Sequence, residues 1–399
     1  MTFLCISCYF KGVPFLRALK NAGNTVYLLT VKKLEHDPWP REAIDEFFYL
    51  ESDSNAPGSL ANLAKGFAWM LRSRPIDRIV ALDDFDVEKA AYLREEFRLP
   101  GMGQTTARYF RDKLAMRIRA RDHGIPVPEF SSLFNDVALT EFANRIEYPC
   151  LIKPRGEASA TGITKVHSAE ELWEQVHALG ERRKDYLVEQ FRPGDVYHVD
   201  ALSVDGEVAF CQVSRYLSTP FEVAHGGGIF RSVSVPYHDE EAVILRRMTE
   251  GVMHAFRMQF SASHTEFIKT QDGSFVFLET ASRVGGAHLA EMVEAATGVG
   301  LWTEWARLES AKAAGRSYQV PPRRYDQAGI IVSLSRFEHP DTSSFNDPEI
   351  VWRMDKQQHI GLIVASDSVG RVRDLLDNYA GRVATEFHAS APAPRKSTH

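Results

Sequence analysis

Cysteine is scarce, with four in 399 residues, too few for a disulfide framework. Cys5 and Cys8 stand three apart in an apolar run that reads as a strand, where side chains at that spacing point to opposite faces. A metal or redox pair must converge, so these two are expected to be buried structural thiols. Long hydrophobic runs are missing as well: nothing approaches the roughly 18 uninterrupted apolar residues of a membrane helix. The opening MTFLCISCYFKG has no basic segment and no small-residue cleavage site, so no signal peptide is read and a cytoplasmic chain is expected. Neither sign of charge dominates. Lys and Arg number 47 against 53 Asp and Glu, net −6, which argues against a surface built for nucleic acid or anionic membrane but leaves room for a local basic cleft.

The stock catalytic motifs are absent too. There is no GxGxxG, no phosphate loop ending in Gly-Lys-Ser or Gly-Lys-Thr, no GxSxG elbow and no HExxH. The 14 histidines are scattered with no close pair at ligand spacing, and are expected at the surface or hydrogen-bonded in the core. What is present is globular in kind: 44% hydrophobic and 25% charged. The length suits two or three packed subdomains.

The opening reads as βαβ, with a strand over 3–9, a helix over Val13–Asn21 and a strand over Thr25–Val31. A helix near 59–73 and a strand over 78–82 continue the alternation toward a parallel sheet. A long amphipathic helix is predicted from about Thr105 to His123, stopped by Gly124, with Pro126 and Pro128 forcing an extended exit. From Tyr148 the pattern changes to short strands and tight turns. Ser168 and Glu171 form a capping box, and Asp205-Gly206 and Asp272-Gly273 mark two hairpins. Helices follow over about 286–314, then mixed strands and one helix over 327–386; the tail ASAPAPRKSTH is expected to be disordered.

The segment SHTEFIKTQDGSFVFLETASRVGG is the most informative. With Asp272-Gly273 as the turn, Thr270 opposes Phe275 and Glu266 falls opposite Glu279. Opposed carboxylates are destabilising unless they share a proton or bind a cation, and two lone carboxylates with phosphate oxygens suit Mg²⁺. An exposed edge hairpin with both side chains in water is the other reading. Lysines and small-residue loops that could meet phosphate occur at Lys113, at Lys153 on the strand YPCLIKP, and in the loop Arg155–Gly162, with hydroxyls at Ser159 and Thr161.

Taken in order, these segments resemble the ATP-grasp superfamily, in particular its carboxylate–amine ligases of the amino-acid ligase type. ALDDFDVEKAAYLREEFRLPGMG followed by RDKLAMRIRARDHGIPVPEF, then YPCLIKPRGEASATGITKV, YLVEQFRPGDVYHVDALSVDGEV and FIKTQDGSFVFLETASRVGGAHL, carry the resemblance across nearly the whole chain. It implies a mixed α/β and α+β architecture: an N-terminal parallel α/β domain (1–104), a central ATP-binding subdomain (105–190), a C-terminal ATP-grasp subdomain with a terminal lid region (191–388) and a tail (389–399). It implies ATP and Mg²⁺ as cofactors and a small-molecule carboxylate and amine as substrates, amino acids above all, with no nucleic acid or membrane partner; a homodimer is left open.

By the same resemblance, Lys113 and Lys153 contact the α- and β-phosphates, and the Ser159 loop with Thr161 closes over the β/γ end. Glu189, Gln190 and Phe191 form the adenine hinge with Leu278 beneath the ring. Glu266 and Glu279 hold magnesium, and Arg283, helped by the amides of Gly285 and Gly286, faces the transferring phosphoryl group. Ala281 stands where many relatives have Asn, which leaves a second Mg²⁺ open. Val196 stands where relatives have an acidic ribose partner, so Asp195 or His198 is expected to substitute. His225 to Gly228, Arg231, Ala287 and His288 are placed near the acceptor pocket, where an arginine or histidine would grip a carboxylate; a surface loop and a helix-start histidine are the alternative. The activity implied is an ADP-forming ligase working through an acyl phosphate. A bicarbonate-using carboxylase and a non-catalytic ATP-binding regulator remain as other readings.

Overall fold

A computed structural model describes residues 1–51, 59–158, 161–219, 223 and 227–390. The first sheet is parallel. Strand β1 (Thr2–Ile6) leads through α1 (Val13–Asn21) to β2 (Thr25–Val31) and β3 (Glu46–Leu50), and then through α2 (Ser59–Met70) to β4 (Arg78–Ala81) and α3 (Val87–Glu96). The strand order is β3-β2-β1-β4, so the chain turns back across β1 and the loops after β1 and β4 lie at a topological switch point, where open α/β sheets place ligands. Strand β1 ends at Ile6, short of the expected Tyr9. Cys5 and Cys8 are both fully buried, in two different apolar clusters, as their spacing required.

The single long helix expected over 105–123 is two helices, α4 (Gln104–Arg108) and α5 (Lys113–Asp122). Asp112 makes the break. Its carboxylate accepts from the amides of Leu114 and Ala115 at 3.0 and 3.4 Å, an N-cap that competes with continuing the helix. The break puts Lys113 on the first turn of α5 instead of mid-helix. A four-stranded antiparallel sheet follows from β5 (Phe130–Ser132), α6 (Asp136–Arg145), β6 (Cys150–Pro154), β7 (Thr164–Val166), α7 (Ala169–Leu179) and β8 (Tyr186–Gln190), in the order β5-β8-β6-β7. Ser168 caps α7 through the Glu171 amide at 3.2 Å, whereas Glu171 returns its bond to His167 rather than to Ser168.

The largest sheet has eight antiparallel strands: β9 (Gly194–Val204), β10 (Glu207–Tyr216), β11 (Phe230–Ser234), β12 (Ser261–Thr270), β13 (Phe275–Ala281), β14 (Gln327–Leu334), β15 (Ile350–Arg353) and β16 (His359–Ser366). Their order is β13-β12-β9-β10-β11-β14-β16-β15. Helix α8 (Glu240–Ala255) precedes β12, α9 (Leu289–Thr297) and α10 (Leu301–Ala313) follow β13, and α11 (Val369–Glu386) follows β16. One apolar core spans the first and largest sheets. Phe3, Phe15 and Leu28 pack with Leu202, Ala262 and Trp305, and the Phe15 and Trp305 rings meet edge to face at 4.9 Å. Burial of such aromatics fixes the parallel sheet against the large one.

Candidate active site

A cleft of about 590 Å³ opens where the three sheets meet. Strands β12 and β13 form its acidic wall. Glu266 pairs with Glu279, and His264 with Ala281. The turn arithmetic reaches this pair by a different route from the one the chain takes. Near the turn, Lys269 and not Thr270 faces Phe275, because the loop is a three-residue one: Gly273 adopts φ +84° and its amide bonds the Thr270 carbonyl at 2.9 Å. A bulge between Glu266 and Phe267 on one strand and Phe277 and Glu279 on the other then restores the register. Leu278 is the extra residue. It lines the cleft, and its carbonyl accepts from Arg117.

Opposite the carboxylates lie the cations. Lys113 Nζ is 3.1 Å from Glu279 and 2.5 Å from the Glu157 carbonyl. The loop after β6 is pinned to α5 at its base, with the Lys113 amide donating to the Arg155 carbonyl at 2.9 Å and Arg155 gripping Asp112. Lys153 points inward and bonds Glu189. Thr161 lines the cleft; Ser159, expected in the same loop, lies outside the described residues, as does His225.

Glu189 lines the cleft beside Gln190 and Phe191. Its carboxylate is buried between Lys153 and Arg117, with Arg117 Nε and Nη2 at 3.0 and 2.8 Å, so the side chain holds two cations. Burial opposes its charge, but those two cations outweigh the penalty and hold the carboxyl down at about 2. The Gln190 and Phe191 amides already donate to the Glu129 and Pro149 carbonyls, which leaves their carbonyls and side chains to the cleft. Arg117 was missed by sequence reasoning. Its signal is the i, i+4 spacing from Lys113 on one helix face.

Four further expectations fail on strand or turn geometry. Asp195 is half exposed, 3.5 Å from Arg215, and does not line the cleft; its neighbours Gly194 and Val196 do. On β11 the alternation places Phe230 in the cleft and turns Arg231 away to Asp377 at 2.6 Å. His288 takes φ +61° at the start of α9 and packs on Trp352, with ring centroids 4.6 Å apart, outside the cleft that Gly286 and Ala287 line. Gly285 is also outside. A Cβ there would stand 2.7 Å from Asp200 Oδ1 and 3.0 Å from His264 Nδ1, so its role is close approach.

His198 is fully buried and does not line the cleft. Its Nδ1 lies 2.8 Å from Asp200 and its Nε2 2.7 Å from Ser232. Far apart in the sequence, His198 and His264 are brought by β9 and β12 to a ring-centroid distance of 5.3 Å, both hydrogen-bonded in the core as expected. Their donor atoms and that of Asp200 all lie within 4.8 Å, closed as a hydrogen-bonded chain. Asp200 takes both imidazoles, and Tyr216 donates to Glu266 Oε1 at 2.9 Å. Burial disfavours a charged His264, yet Asp200 and then Glu266 raise it to about 9. Glu266 is held ionised in turn by its bonds from His264 and Tyr216, against the cost of burial.

Arg283 enters the cleft from the end of β13, and Nε and Nη2 grip Asp84 Oδ2 at 2.9 and 2.7 Å. Asp84 comes from the loop after β4, 199 positions away. Lys11, from the loop after β1, lines the same wall and bonds Asp83 at 2.5 Å. The signal for this pair was LDDFD directly after an apolar strand of a parallel sheet, where such loops carry ligand contacts.

Comparison with known proteins fits this geometry. The family model described as the D-ala D-ala ligase C-terminus matches residues 120–222. The fold matches solved structures along nearly its full length. With the L-amino acid ligase of Bacillus licheniformis it shares a TM-score of 0.71 and 19% identity, covering 97% of this chain and 98% of that one. With the N5-carboxyaminoimidazole synthetase of Staphylococcus aureus, solved with ADP, the TM-score is 0.71 at 14% identity, covering 95% and 96%. The chain has the ATP-grasp fold. Its similarity to a curated relative is narrower. The L-arginine-specific L-amino acid ligase of Bacillus subtilis is 27% identical over 242 residues, 58% of this chain and 57% of the relative. The chain thus spans little more than half the length of that relative. No helix among the described residues is long and apolar enough to cross a membrane.

Proposed function

We propose that this ATP-grasp chain is an ADP-forming ligase that joins the carboxylate of an amino acid to an amine through an acyl phosphate. The observation that carries the reading is one cleft wall with two opposed carboxylates, Glu266 and Glu279, facing Lys113, Lys153 and Arg283. Phosphorylating a carboxylate brings two anions together, and only a site that concentrates positive charge at that point lowers the barrier.

The apolar end of the cleft, with Leu151, Phe191, Val196, Ile268 and Leu278, suits a purine base. Lys153, fixed by Glu189, and Lys113, at the start of α5, are placed for the polyphosphate. Glu266 and Glu279 are oxygen donors of the kind that takes Mg²⁺, and a bound ion there would offset phosphate charge and orient its oxygens. Glu266 is the better held of the two, through Tyr216 and His264. Arg283 has five N–H groups, of which two go to Asp84 and one to the Val284 carbonyl at 3.0 Å. The remaining donors are free for oxygens that gain charge during transfer. In the first step a substrate carboxylate oxygen attacks the terminal phosphorus and ADP leaves. In the second the amine attacks the acyl carbon, inorganic phosphate leaves and the amine gives up a proton.

The test is phosphate release by the full chain with ATP and Mg²⁺ over all pairwise combinations of amino acids and related amines. Release that needs two components, matched by a condensed product in mass spectrometry, supports the ligase. Release with bicarbonate alone would replace it with the carboxylase reading.

A further inference from the structure

The loop after β4 contains three aspartates, and the structure accounts for the oxygens of two. Asp83 takes Lys11 at 2.5 Å and the Phe85 amide at 3.1 Å. Asp86 takes the Cys8 amide at 2.8 Å and Lys89 at 3.1 Å. Asp84 is different. It lines the cleft with only 6% of its surface exposed, Oδ2 receives both bonds from Arg283, and Oδ1 is buried with no hydrogen-bond partner. Burial alone would neutralise such a carboxyl, but Arg283, Arg111 and Lys11 hold it ionised. An ionised oxygen without a donor is expensive to bury, so its retention beside the transfer site calls for a ligand group.

We propose that Asp84 Oδ1 binds the ammonium of the carboxylate-donating substrate, which makes that substrate an α- or β-amino acid and not a simple carboxylic acid. The inference rests on the ligase reading. A carboxylate is an acceptor only, and its strongest partners are charged donors. Arg283 joins the two ends of the substrate: it holds Asp84 with one edge and keeps spare N–H groups for the substrate carboxylate. Cation and anion are therefore side by side, matching a zwitterion whose charges lie one or two carbons apart. A des-amino substrate would leave Oδ1 unpaired, and sites of this kind reject analogues that lack the bonding group.

The experiment compares three donors of equal carbon skeleton in phosphate release by the full chain: an α-amino acid of four or more carbons that the screen finds active, its des-amino acid, and the isomer with the amine at the far end, beyond the β carbon. The expected result is a preference of a hundredfold or more in kcat/KM for the α-amino acid over both. Equal use of the des-amino acid overturns the proposal without any variant. Asp84→Asn is expected to raise the amino-acid KM at least tenfold and to collapse the preference, while ATP affinity by calorimetry stays within twofold. A variant that keeps the preference also overturns it. Calorimetry with a non-hydrolysable ATP analogue separates this proposal from the ligase reading. Amino-acid binding that is lost in Asp84→Asn supports the site even if turnover is never found, whereas turnover without the preference leaves a ligase and removes Asp84 from its binding site.

Discussion

Glu189 is a carboxylate enclosed by two cations, and removing its charge strands both. Breaking a buried pair by deleting one partner costs about 3–5 kcal/mol, so Glu189→Gln is expected to lower stability by that order at neutral pH. The sign with pH follows from the depressed pKa of about 2. The stabilisation is fully present above the ordinary carboxylate value and is lost as pH falls through about 2. Denaturant melts of both proteins should differ most at pH 6–8 and converge on acidification; a gap that widens in acid would contradict the assignment. Lys153→Ala is expected to raise the nucleotide dissociation constant tenfold or more, about 1.4 kcal/mol, read by calorimetry. At this scale the sequence was legible wherever a residue's role followed from its own strand or helix. The pairing of Glu266 with Glu279, though not their role, is such a case. Asp195, His198 and Arg231 were misplaced because a one-residue step along a strand exchanges cleft for core or solvent, and sequence arithmetic had no absolute face to count from.

Asp112 shows how one side chain sets an element. It caps α5, holds Arg155 at the base of the loop after β6 and so fixes Lys113 at the mouth of the cleft. Asp112→Ala is expected to cost about 1–2 kcal/mol, as cap removals do, and to weaken nucleotide binding as well. A melting temperature and a calorimetric titration on one preparation check both, and loss of stability with unchanged affinity would leave Asp112 a cap only. The hairpin β12–β13 carries a similar lesson. Turn chemistry in Asp272-Gly273 located the hairpin, and the Glu pairing is as counted, but the one-residue difference at the turn is cancelled by the bulge at Leu278. Bulges depend on packing against neighbouring elements, here the Arg117 bond to the Leu278 carbonyl, and leave little trace in the strand's own residues. Helix α1 and strand β2 were read to the residue because periodicity and glycine stops suffice there.

The whole molecule brings three sheets to one cleft, and this level was legible only through family resemblance. Local pattern gives parallel strands first and antiparallel strands later. It does not say that the loop after β4 meets the end of β13, or that Asp84 reaches Arg283. That contact ties the parallel sheet to the acidic wall of the cleft. Arg283→Lys is accordingly expected to depress kcat more than it changes ATP affinity, since a lysine offers no planar fork to serve Asp84 and a developing charge together. The central claim is that this cleft moves a phosphoryl group from ATP to a carboxylate oxygen. It is tested most directly by turnover with ATP, Mg²⁺, an amine and an amino acid whose carboxylate carries heavy oxygen, with the released phosphate analysed by phosphorus NMR. The account predicts ADP and inorganic phosphate bearing one labelled oxygen; unlabelled phosphate, or AMP with pyrophosphate, would contradict it.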